Sequence, residues 1–372
     1  MIHVTNAQVD FALGRFPQRE KKRLRAWDAA DEYLLQHLAD NELLQAGMSL
    51  LIVNDAFGGL AIPLYKYQPL VTTDSFLSMQ GIVENALANN IAEDEITVID
   101  SQQAPAEILK KSADIVLLKI PKSLAMLEDQ LHRIRPVCGA ATKIIAAGMT
   151  KNIHISTMAL FEKILGSTKT SLARKKSRLI FCEFDEKLTV PENPYPNKYQ
   201  LDFKLDDVDM EIVNHAGVFS REKLDIGTRL FLENLPAGEQ YKSIVDLGCG
   251  NGVVGLLAAI KNPAASLVFT DQSYMAIESA ISNFVAVFDE TRDAEFFQTD
   301  CLQGIADEGI TLILCNPPFH QDYALNDDVA CHMFSEADTA INKKGELLVI
   351  ANSTLCFNTT VNHQDVHCDT VG

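Results

Sequence analysis

Residues 244–252 have the sequence Ile-Val-Asp-Leu-Gly-Cys-Gly-Asn-Gly, and this stretch decides the fold of the second half of the chain. A short apolar run that ends at glycines is typical of a buried parallel strand. The run Val253–Ala259 that follows predicts the start of a helix. A strand, a glycine turn and a helix place a ligand site at the carboxyl end of a parallel sheet, because glycines let the backbone approach a ligand closely.

Two classes of ligand fit this glycine turn. Residues 250–255 match the dinucleotide fingerprint G-x-G-x-x-G, although that match alone is weak. Asp246, on the strand before the turn, favours a cationic ligand, because a pyrophosphate avoids nearby negative charge. S-adenosylmethionine, with its sulfonium and ammonium groups, is such a ligand. The residues predicted to bind it here are Asp246, Gly248, Gly250 and Gly252.

Carboxylates end the next two predicted strands. Leu267–Asp271 is a short apolar run, and the carboxylate of Asp271 can accept both ribose hydroxyls of an adenosyl group. Phe296–Asp300 ends in Asp300, whose carboxylate can accept the adenine amino group. Asp300 can equally be the N-cap of a helix over residues 301–305.

A polar motif with an aromatic end follows a further apolar strand, Thr311–Cys315. The Asn316 side-chain carbonyl and the Pro317 backbone carbonyl are two acceptors of fixed geometry, because proline fixes φ and supplies no N–H. Such a pair can hold an exocyclic NH₂ group with its lone pair aimed at a methyl donor. Catalysis then rests on positioning, since a sulfonium is already a good leaving group. The predicted catalytic residues are Asn316, Pro317, Pro318 and Phe319, with the Phe319 ring stacked on the base.

Three further stretches, Asn214-His215, Val218–Gly227 and Asn316–Gln321, narrow the class of enzyme. With them, the chain from Ala26 to Ala351 resembles the bacterial ribosomal RNA guanine-N2 methyltransferases, and most closely the large-subunit (23S) enzymes. The resemblance implies an α/β protein with two tandem class I (Rossmann-like) methyltransferase domains, the N-terminal one degenerate. It implies methylation of N2 of a specific guanine in 23S ribosomal RNA by S-adenosylmethionine, and it places Phe219 in the cofactor site.

The first half of the chain carries a weaker copy of the same motifs. The matching stretches are Leu51–Gly59 with Ile244–Gly252, Thr73–Ser75 with Thr270–Gln272, and Val116–Lys122 with Ile313–Phe319. Asp74 and Lys119 are separated by the same interval as Asp271 and Asn316. However, Lys119 replaces the amide, and an ammonium offers no acceptor to an NH₂ group. We therefore expect a first domain that docks RNA without catalysing.

The length of 372 residues, 47% of them hydrophobic, predicts two domains with separate cores. A proline-rich stretch, Pro191–Asn197, predicts the boundary. We expect a degenerate methyltransferase-like domain over residues 1–190, a linker over 191–199 and a catalytic domain over 200–372. The tail from Asn352 does not resemble the closing helix and strands that the family implies, so the catalytic domain should have an atypical or truncated C-terminus.

The composition argues against a membrane protein and against a secreted, disulfide-bonded protein. No stretch reaches the apolar length of a membrane span, and the first ten residues lack a basic-then-apolar signal. The eight cysteines show no C-x-x-C pairing, which indicates reduced thiols in the cytoplasm. We predict neither a membrane partner nor a metal site, and the oligomeric state stays open.

The formal net charge of −18 is unfavourable for an RNA partner. Basic clusters in the first half of the chain make RNA binding compatible with this charge, because they can contact phosphates while the acidic remainder of the protein repels nonspecific RNA. Both clusters can also be ordinary solvated faces. The residues predicted to bind RNA are Lys21, Lys22 and Arg23 in one cluster, and Arg174, Lys175, Lys176 and Arg178 in the other.

Two other functions stay open on the sequence alone. An enzyme of the same fold could methylate another amine: a guanine of 16S ribosomal RNA, adenine N6 of DNA, or a protein glutamine amide. A catalytically impaired RNA-binding protein is the second alternative. The Asn-Pro-Pro-Phe motif does not separate these amines, but the duplicated first half favours ribosomal RNA.

Overall fold

The structure is a computed structural model that describes residues 2–3, 10–17, 25–201, 210–219, 224, 226–289, 291–305, 309–318 and 323–350. The chain divides into two compact units, Met1–Tyr195 and Pro196–Gly372. Several predicted residues lie outside the described ones: Lys21, Lys22, Arg23, Phe319 and the tail from residue 351. No helix in the described ranges is long and apolar enough to cross a membrane.

The first unit is α/β and contains a seven-stranded sheet. The strands described in this unit are β1 (Ile2–His3), β2 (Asp10–Phe11), β3 (Leu50–Val53), β4 (Leu70–Thr73), β5 (Thr97–Asp100), β6 (Ile115–Lys119), β7 (Lys143–Met149), β8 (Thr168–Thr170) and β9 (Ser177–Cys182). Strands β1 and β2 pair with each other, and the other seven form the sheet. Its helices are α1 (Ala29–Asp40), α2 (Phe76–Ala88), α3 (Pro105–Leu109), α4 (Leu124–Ile134) and α5 (Ile155–Ile164). The sheet order is β5-β4-β3-β6-β7-β9-β8, with β9 and β8 antiparallel to their neighbours and the other pairs parallel.

The second unit contains a five-stranded sheet whose pairs are all parallel, in the order β14-β13-β12-β15-β16. Its strands are β10 (Asn197–Gln200), β11 (Glu211–Asn214), β12 (Ser243–Leu247), β13 (Ser266–Asp271), β14 (Glu295–Gln298), β15 (Ile310–Cys315) and β16 (Ile341–Val349). Its helices are α6 (Ile226–Glu233), α7 (Val253–Lys261), α8 (Tyr274–Phe288) and α9 (Tyr323–Ala340). The antiparallel pair β10–β11 begins at Asn197, inside the segment predicted as a linker.

Alternate residues of β12 enter two different cores, which explains why this strand is apolar almost throughout. Ile244 packs in a core that contains residues of α6, α7 and α8. Val245 and Leu247 pack in a core that contains Met333 and Phe334 of α9. A parallel sheet covered on both faces needs such strands, and the strands predicted at residues 244–247, 267–271 and 311–315 are confirmed. The strand predicted at residues 296–300 is also present but ends at Gln298.

The order of the strands fixes where a ligand can bind in the second unit. From β12 the chain adds β13 and then β14 on one side, and β15 on the other. In open parallel sheets, ligands bind outside the carboxyl ends of the strands at such a reversal. The glycine turn after β12 and Asn316 after β15 therefore border the same crevice.

The first unit repeats this architecture, which confirms the tandem fold. The backbone N–H of Asn54 donates to the Thr72 carbonyl at 3.0 Å, as Gly248 donates to Thr270 at 2.8 Å. Both donors have positive φ, 64° and 72°. Strand pairing makes Lys119 the counterpart of Asn316, as predicted.

The same pairing corrects one predicted equivalence. Val53 pairs with Thr72, and Leu247 pairs with Thr270, so the residue that corresponds to Asp271 is Thr73 and not Asp74. The sequence comparison matched the Thr-Asp dipeptides of the two halves, and this match is displaced by one residue. In a strand, a displacement of one residue reverses the direction of every side chain.

Candidate cofactor and substrate site

The turn between β12 and α7 has glycine where other residues would be strained or would clash. Gly248, Gly250 and Gly252 have φ values of 72°, 56° and 75°, which L side chains rarely adopt. A Cβ atom on Gly252 would lie 2.7 Å from the Cβ of Ala280, so this glycine lets α7 approach α8. A Cβ atom on Gly250 would meet nothing within 4 Å. The turn therefore has open space at Gly250, as a ligand cradle requires.

Asp271 is anchored beside this turn at the end of β13. Its Oδ2 accepts a hydrogen bond from the Gly250 N–H at 3.0 Å, and its Oδ1 accepts one from the Ser273 N–H at 2.9 Å. Burial raises the pKa of the Asp271 carboxyl, although these backbone donors oppose the rise. The side chain is half-buried, and the two backbone donors hold it in one orientation beside the turn.

Asp246 lies under the first turn of α7 and not at the open mouth of the turn. Its side chain is 4% exposed, and its Oδ2 accepts a hydrogen bond from the Gly255 N–H at 2.7 Å. Burial, with a further contribution from the charge of Asp271, raises the pKa of Asp246 to about 8. In the absence of a cation nearby, this carboxyl is therefore mostly protonated at neutral pH.

Asn316 is oriented by a residue of α6. Its Nδ2 donates a hydrogen bond to the Thr228 hydroxyl at 3.2 Å. Because the two ends of an amide point in opposite directions, the Oδ1 carbonyl is turned away from Thr228. Asn316 is half-buried, Pro317 is buried and Pro318 is exposed.

Asp300 lies beside the carboxyl end of β13, because the Thr299 N–H donates to the Asp271 carbonyl at 3.0 Å. Its side chain is almost fully buried. Residues 301–305 form turns, so the alternative interpretation of Asp300 as a helix N-cap is wrong. Phe219 follows β11 and is 58% exposed, and its contact with a cofactor stays a prediction.

A buried amide network that the sequence did not predict holds the glycine turn in place. The Asn251 Nδ2 donates to the Asn214 Oδ1 at 2.9 Å, which joins the turn to β11. The Asn283 Nδ2 of α8 donates to the Asn251 carbonyl at 2.9 Å, and the Asn283 Oδ1 accepts from the Val213 N–H at 2.7 Å. Asn251 in the glycine motif and Asn214 in the Asn214-His215 stretch carried a sequence signal, but nothing in the sequence connected them to each other or to Asn283.

The first unit has a different arrangement at the position of Asn316. The Lys119 Nζ lies 2.9 Å from an Asp28 oxygen and 2.5 Å from an Asp31 oxygen. Burial lowers the pKa of Lys119, but the two carboxylates outweigh burial and raise it. A buried ammonium paired with two carboxylates cannot accept hydrogen bonds from an NH₂ group.

The second predicted RNA cluster is built on the hairpin between β8 and β9. Arg174 and Ser177 exchange two backbone hydrogen bonds of 2.8 Å, so Lys175 and Lys176 are the two residues of the turn. Their φ values are 49° and 61°, the conformation of a type I′ turn. The Lys175 ammonium lies 2.8 Å from Glu32, and the Nε of Arg178 is buried without a hydrogen-bond partner among the described residues.

The five-stranded parallel sheet, the glycine turn at the strand reversal and the polar motif after β15 are those of a class I methyltransferase. Family comparisons agree with this: residues 209–371 match the methyltransferase small domain, and residues 1–186 match the RLMG N-terminal domain. The protein is therefore a methyltransferase, and S-adenosylmethionine is its cofactor.

Named relatives identify the family. The chain is 42% identical to the ribosomal RNA large subunit methyltransferase G of Streptomyces griseus subsp. griseus, over 100% of this chain and 96% of the relative. It is 42% identical to the protein of that name from Yersinia enterocolitica, over 97% and 89% of the two chains. The chain belongs to the ribosomal RNA large subunit methyltransferase G family.

A solved structure shares the fold over most of the chain. The T. thermophilus 16S rRNA N2 methyltransferase, in complex with AdoMet and guanosine, is 17% identical and superposes with a TM-score of 0.69. The match covers 93% of this chain and 87% of that protein. At this identity the likeness supports the two-unit fold and does not identify a substrate.

Proposed function

We propose that this protein transfers a methyl group from S-adenosylmethionine to N2 of a specific guanine in 23S ribosomal RNA. The observation that carries the proposal is the orientation of Asn316, whose amide nitrogen is held by Thr228 so that its carbonyl is directed away from α6. The names of the relatives supply the large-subunit RNA. The T. thermophilus protein of the same fold acts at N2 and was solved with guanosine.

The residues around the glycine turn would hold the methyl donor. Gly248, Gly250 and Gly252 would let the backbone contact it closely, and Asp271 would accept the ribose hydroxyls. Asp300, beside the end of β13, would accept the adenine amino group, and Phe219 would cover the site. Asp246 would act from beneath α7 through the charge that it acquires when the cationic donor lowers its pKa, and its Oδ2 would keep the hydrogen bond from the Gly255 N–H.

The residues after β15 would position the amine. The Asn316 Oδ1 and the Pro317 carbonyl would accept the two hydrogens of the guanine NH₂ group, with exposed Pro318 and the ring of Phe319 against the base. This leaves the nitrogen lone pair in line with the methyl group, which the sulfonium donor supplies when bound. Removing the base from its helix exposes the amine to these acceptors. Positioning of this kind is the main rate effect that the chain would contribute.

The first unit would dock the RNA, and the protein would work in the cytoplasm. Arg174, Lys175 and Lys176 surround the β8–β9 turn and are exposed, which suits contacts to phosphates. Arg178 is half-buried and would contribute less directly. The methyl transfer would need neither a membrane nor a metal ion.

One experiment separates this function from its rivals. The full chain would be incubated with labelled donor and, in separate reactions, with naked 23S RNA, 16S RNA and DNA, and the products digested to nucleosides. We expect label only in N2-methylguanosine from 23S RNA, and loss of that label in Asn316→Ala. Label from 16S RNA or in methyladenine would contradict the proposed substrate. Donor binding without transfer to any substrate would favour the impaired RNA-binding protein.

A further inference from the structure

Three potential metal ligands meet beside the proposed donor site. Asp300 and Cys301 lie in the turn after β14, and His332 lies on α9. One ligand atom from each lies within 4.8 Å of the others. The His332 Nε2 is 3.5 Å from the Asp300 Oδ2, and the Cys301 Sγ is 3.6 Å from the Asp300 Oδ1.

We propose that these residues bind a zinc ion. Carboxylate oxygen, thiolate sulfur and imidazole nitrogen are the ligand atoms that Zn²⁺ takes in proteins. Zinc–ligand bonds of about 2.0–2.3 Å give tetrahedral edges of roughly 3.4–3.6 Å between ligand atoms. The largest separation in the cluster therefore has to shorten by only about 1.2 Å, which side-chain rotations supply. A fourth position would stay open for water.

The local structure presents Cys301 to this cluster in an uncommon conformation. Its φ is +53°, in the left-handed region that residues with a Cβ atom rarely adopt. The turn that imposes this conformation is closed by the Gln303 N–H, which donates to the Asp300 carbonyl at 3.0 Å. The Thr299 hydroxyl donates to the Gln303 carbonyl at 2.8 Å and closes it further. Observed backbone outliers of this kind cluster at functional sites.

On the opposite side of the cluster, the packing of α9 fixes the position of His332. His332 is followed on α9 by Met333 and Phe334, which are both 5% exposed and pack in the core beneath β12 and β15. This packing fixes the rotation of α9 about its axis, and hence the direction of His332. A bound ion would join the turn after β14 to the helix that follows the Asn316 motif.

Zinc binding has a consequence that rests on the proposed function. Asp300 would serve both the ion and the adenine amino group of the donor. A carboxylate bound to zinc has less capacity to accept that hydrogen bond, so the ion and S-adenosylmethionine should compete. Zinc would thus inhibit the methyltransferase without taking part in the reaction.

The test is a titration of the reduced, metal-free full chain with Co²⁺, followed by displacement with Zn²⁺. We expect one equivalent of Co²⁺ to produce tetrahedral visible bands and a thiolate-to-cobalt charge-transfer band. Cys301→Ser and His332→Ala should each weaken binding by more than about 100-fold, since even outer groups of metal sites contribute about 10–100-fold. The control is Cys331→Ser, which removes an exposed cysteine next to His332 and should leave the spectrum unchanged.

Absence of the thiolate band in the wild type, or its persistence in Cys301→Ser, would overturn the site, as would unchanged Co²⁺ affinity in His332→Ala. Thermal unfolding without metal checks the fold of each variant. If Cys301→Ser does not fold, the half-buried His332→Ala decides the outcome. Donor competition is measured separately by repeating the titration with S-adenosylmethionine present. If Co²⁺ binds through Cys301 and the donor does not compete, the metal site stands and the assignment of Asp300 to the donor fails.

Discussion

The amide nitrogen of Asn316 donates a hydrogen bond to the Thr228 hydroxyl at 3.2 Å. Thr228 is 6% exposed and lies on α6, an element that precedes the glycine turn in the chain. This bond holds the Asn316 amide with its nitrogen toward α6 and its Oδ1 carbonyl directed away from that helix. Thr228 is therefore a positioning residue for the proposed reaction.

Thr228→Val should lower the single-turnover methylation rate by about 2- to 13-fold, because it removes a hydrogen bond of about 0.5–1.5 kcal/mol that orients Asn316. The affinity for S-adenosylmethionine, measured by calorimetry, should not change. Thr228→Ser keeps the hydroxyl and should restore the rate. Asn316→Ala should be more severe, with a loss of about 10²–10³ in rate, as for an orienting contact in a water-excluded site. Equal rates in Thr228→Val and wild type would show that Asn316 is oriented by other means.

Asp271→Ala should weaken S-adenosylmethionine binding by roughly 1.5–3 kcal/mol, since hydrogen bonds to a charged group contribute about that much. The control is Asp74→Ala, which removes the carboxylate next to Thr73, the residue equivalent to Asp271 in the first unit; Asp74 accepts a hydrogen bond from the Ser101 hydroxyl at 2.6 Å. Calorimetry should give wild-type donor affinity for this control. A comparable loss in both variants would mean that the first unit also binds the donor.

The raised pKa of Asp246 predicts that donor binding is coupled to proton release. The carboxyl has a pKa of about 8 without a ligand, and a cation nearby should lower that pKa. Below pH 8 the donor must therefore displace a proton, so its affinity should rise as the pH increases toward 8 and then level off. The measurement is the calorimetric affinity across this range in wild type and in Asp246→Asn. The difference between the two profiles gives the contribution of Asp246 to the pH dependence. Parallel profiles would show that Asp246 does not contribute to the electrostatics of donor binding.

Much of the second unit could be predicted because its strands end at distinctive residues. Apolar runs that stop at glycine, aspartate or Asn-Pro identified β12, β13 and β15, and their carboxyl ends meet at one edge of the sheet. The position of Asp246 beneath α7 was also available from the two-residue period of a strand. Asp246 shares a face with Ile244, and that face packs against α7.

No comparable sequence pattern indicated which residues hold the site together through hydrogen bonds. Asn283 contacts Val213 and Asn251 through hydrogen bonds between distant parts of the chain. Thr228 lies 88 residues before Asn316, and neither periodicity nor spacing connects them. The displaced equivalence of Asp74 had a different cause: a local dipeptide match cannot establish the pairing of strands, which depends on the neighbouring strand.

The β8–β9 turn offers the clearest test of RNA docking, because its two lysines make the hairpin less stable than an Asn-Gly turn would. Lys175 and Lys176 both adopt left-handed conformations, which cost about 1–2 kcal/mol for a residue with a Cβ atom. Asn-Gly is the preferred pair for a type I′ turn. The double variant Lys175→Asn, Lys176→Gly should therefore raise the free energy of unfolding by about 1–2 kcal/mol. Loss of the exposed pair between Lys175 and Glu32 offsets little of this gain.

The same variant should bind 23S RNA more weakly. Two lost phosphate contacts should reduce the slope of log K against log salt by about 1.4–1.8, because each contact releases close to one counterion. The charge-matched control is Lys111→Ala, Lys143→Ala, which removes two exposed lysines near the amino ends of β6 and β7, opposite the hairpin. Its salt slope should stay near that of wild type. A more stable hairpin variant with an unchanged salt slope would mean that these lysines are only a solvated face and that the RNA binds elsewhere.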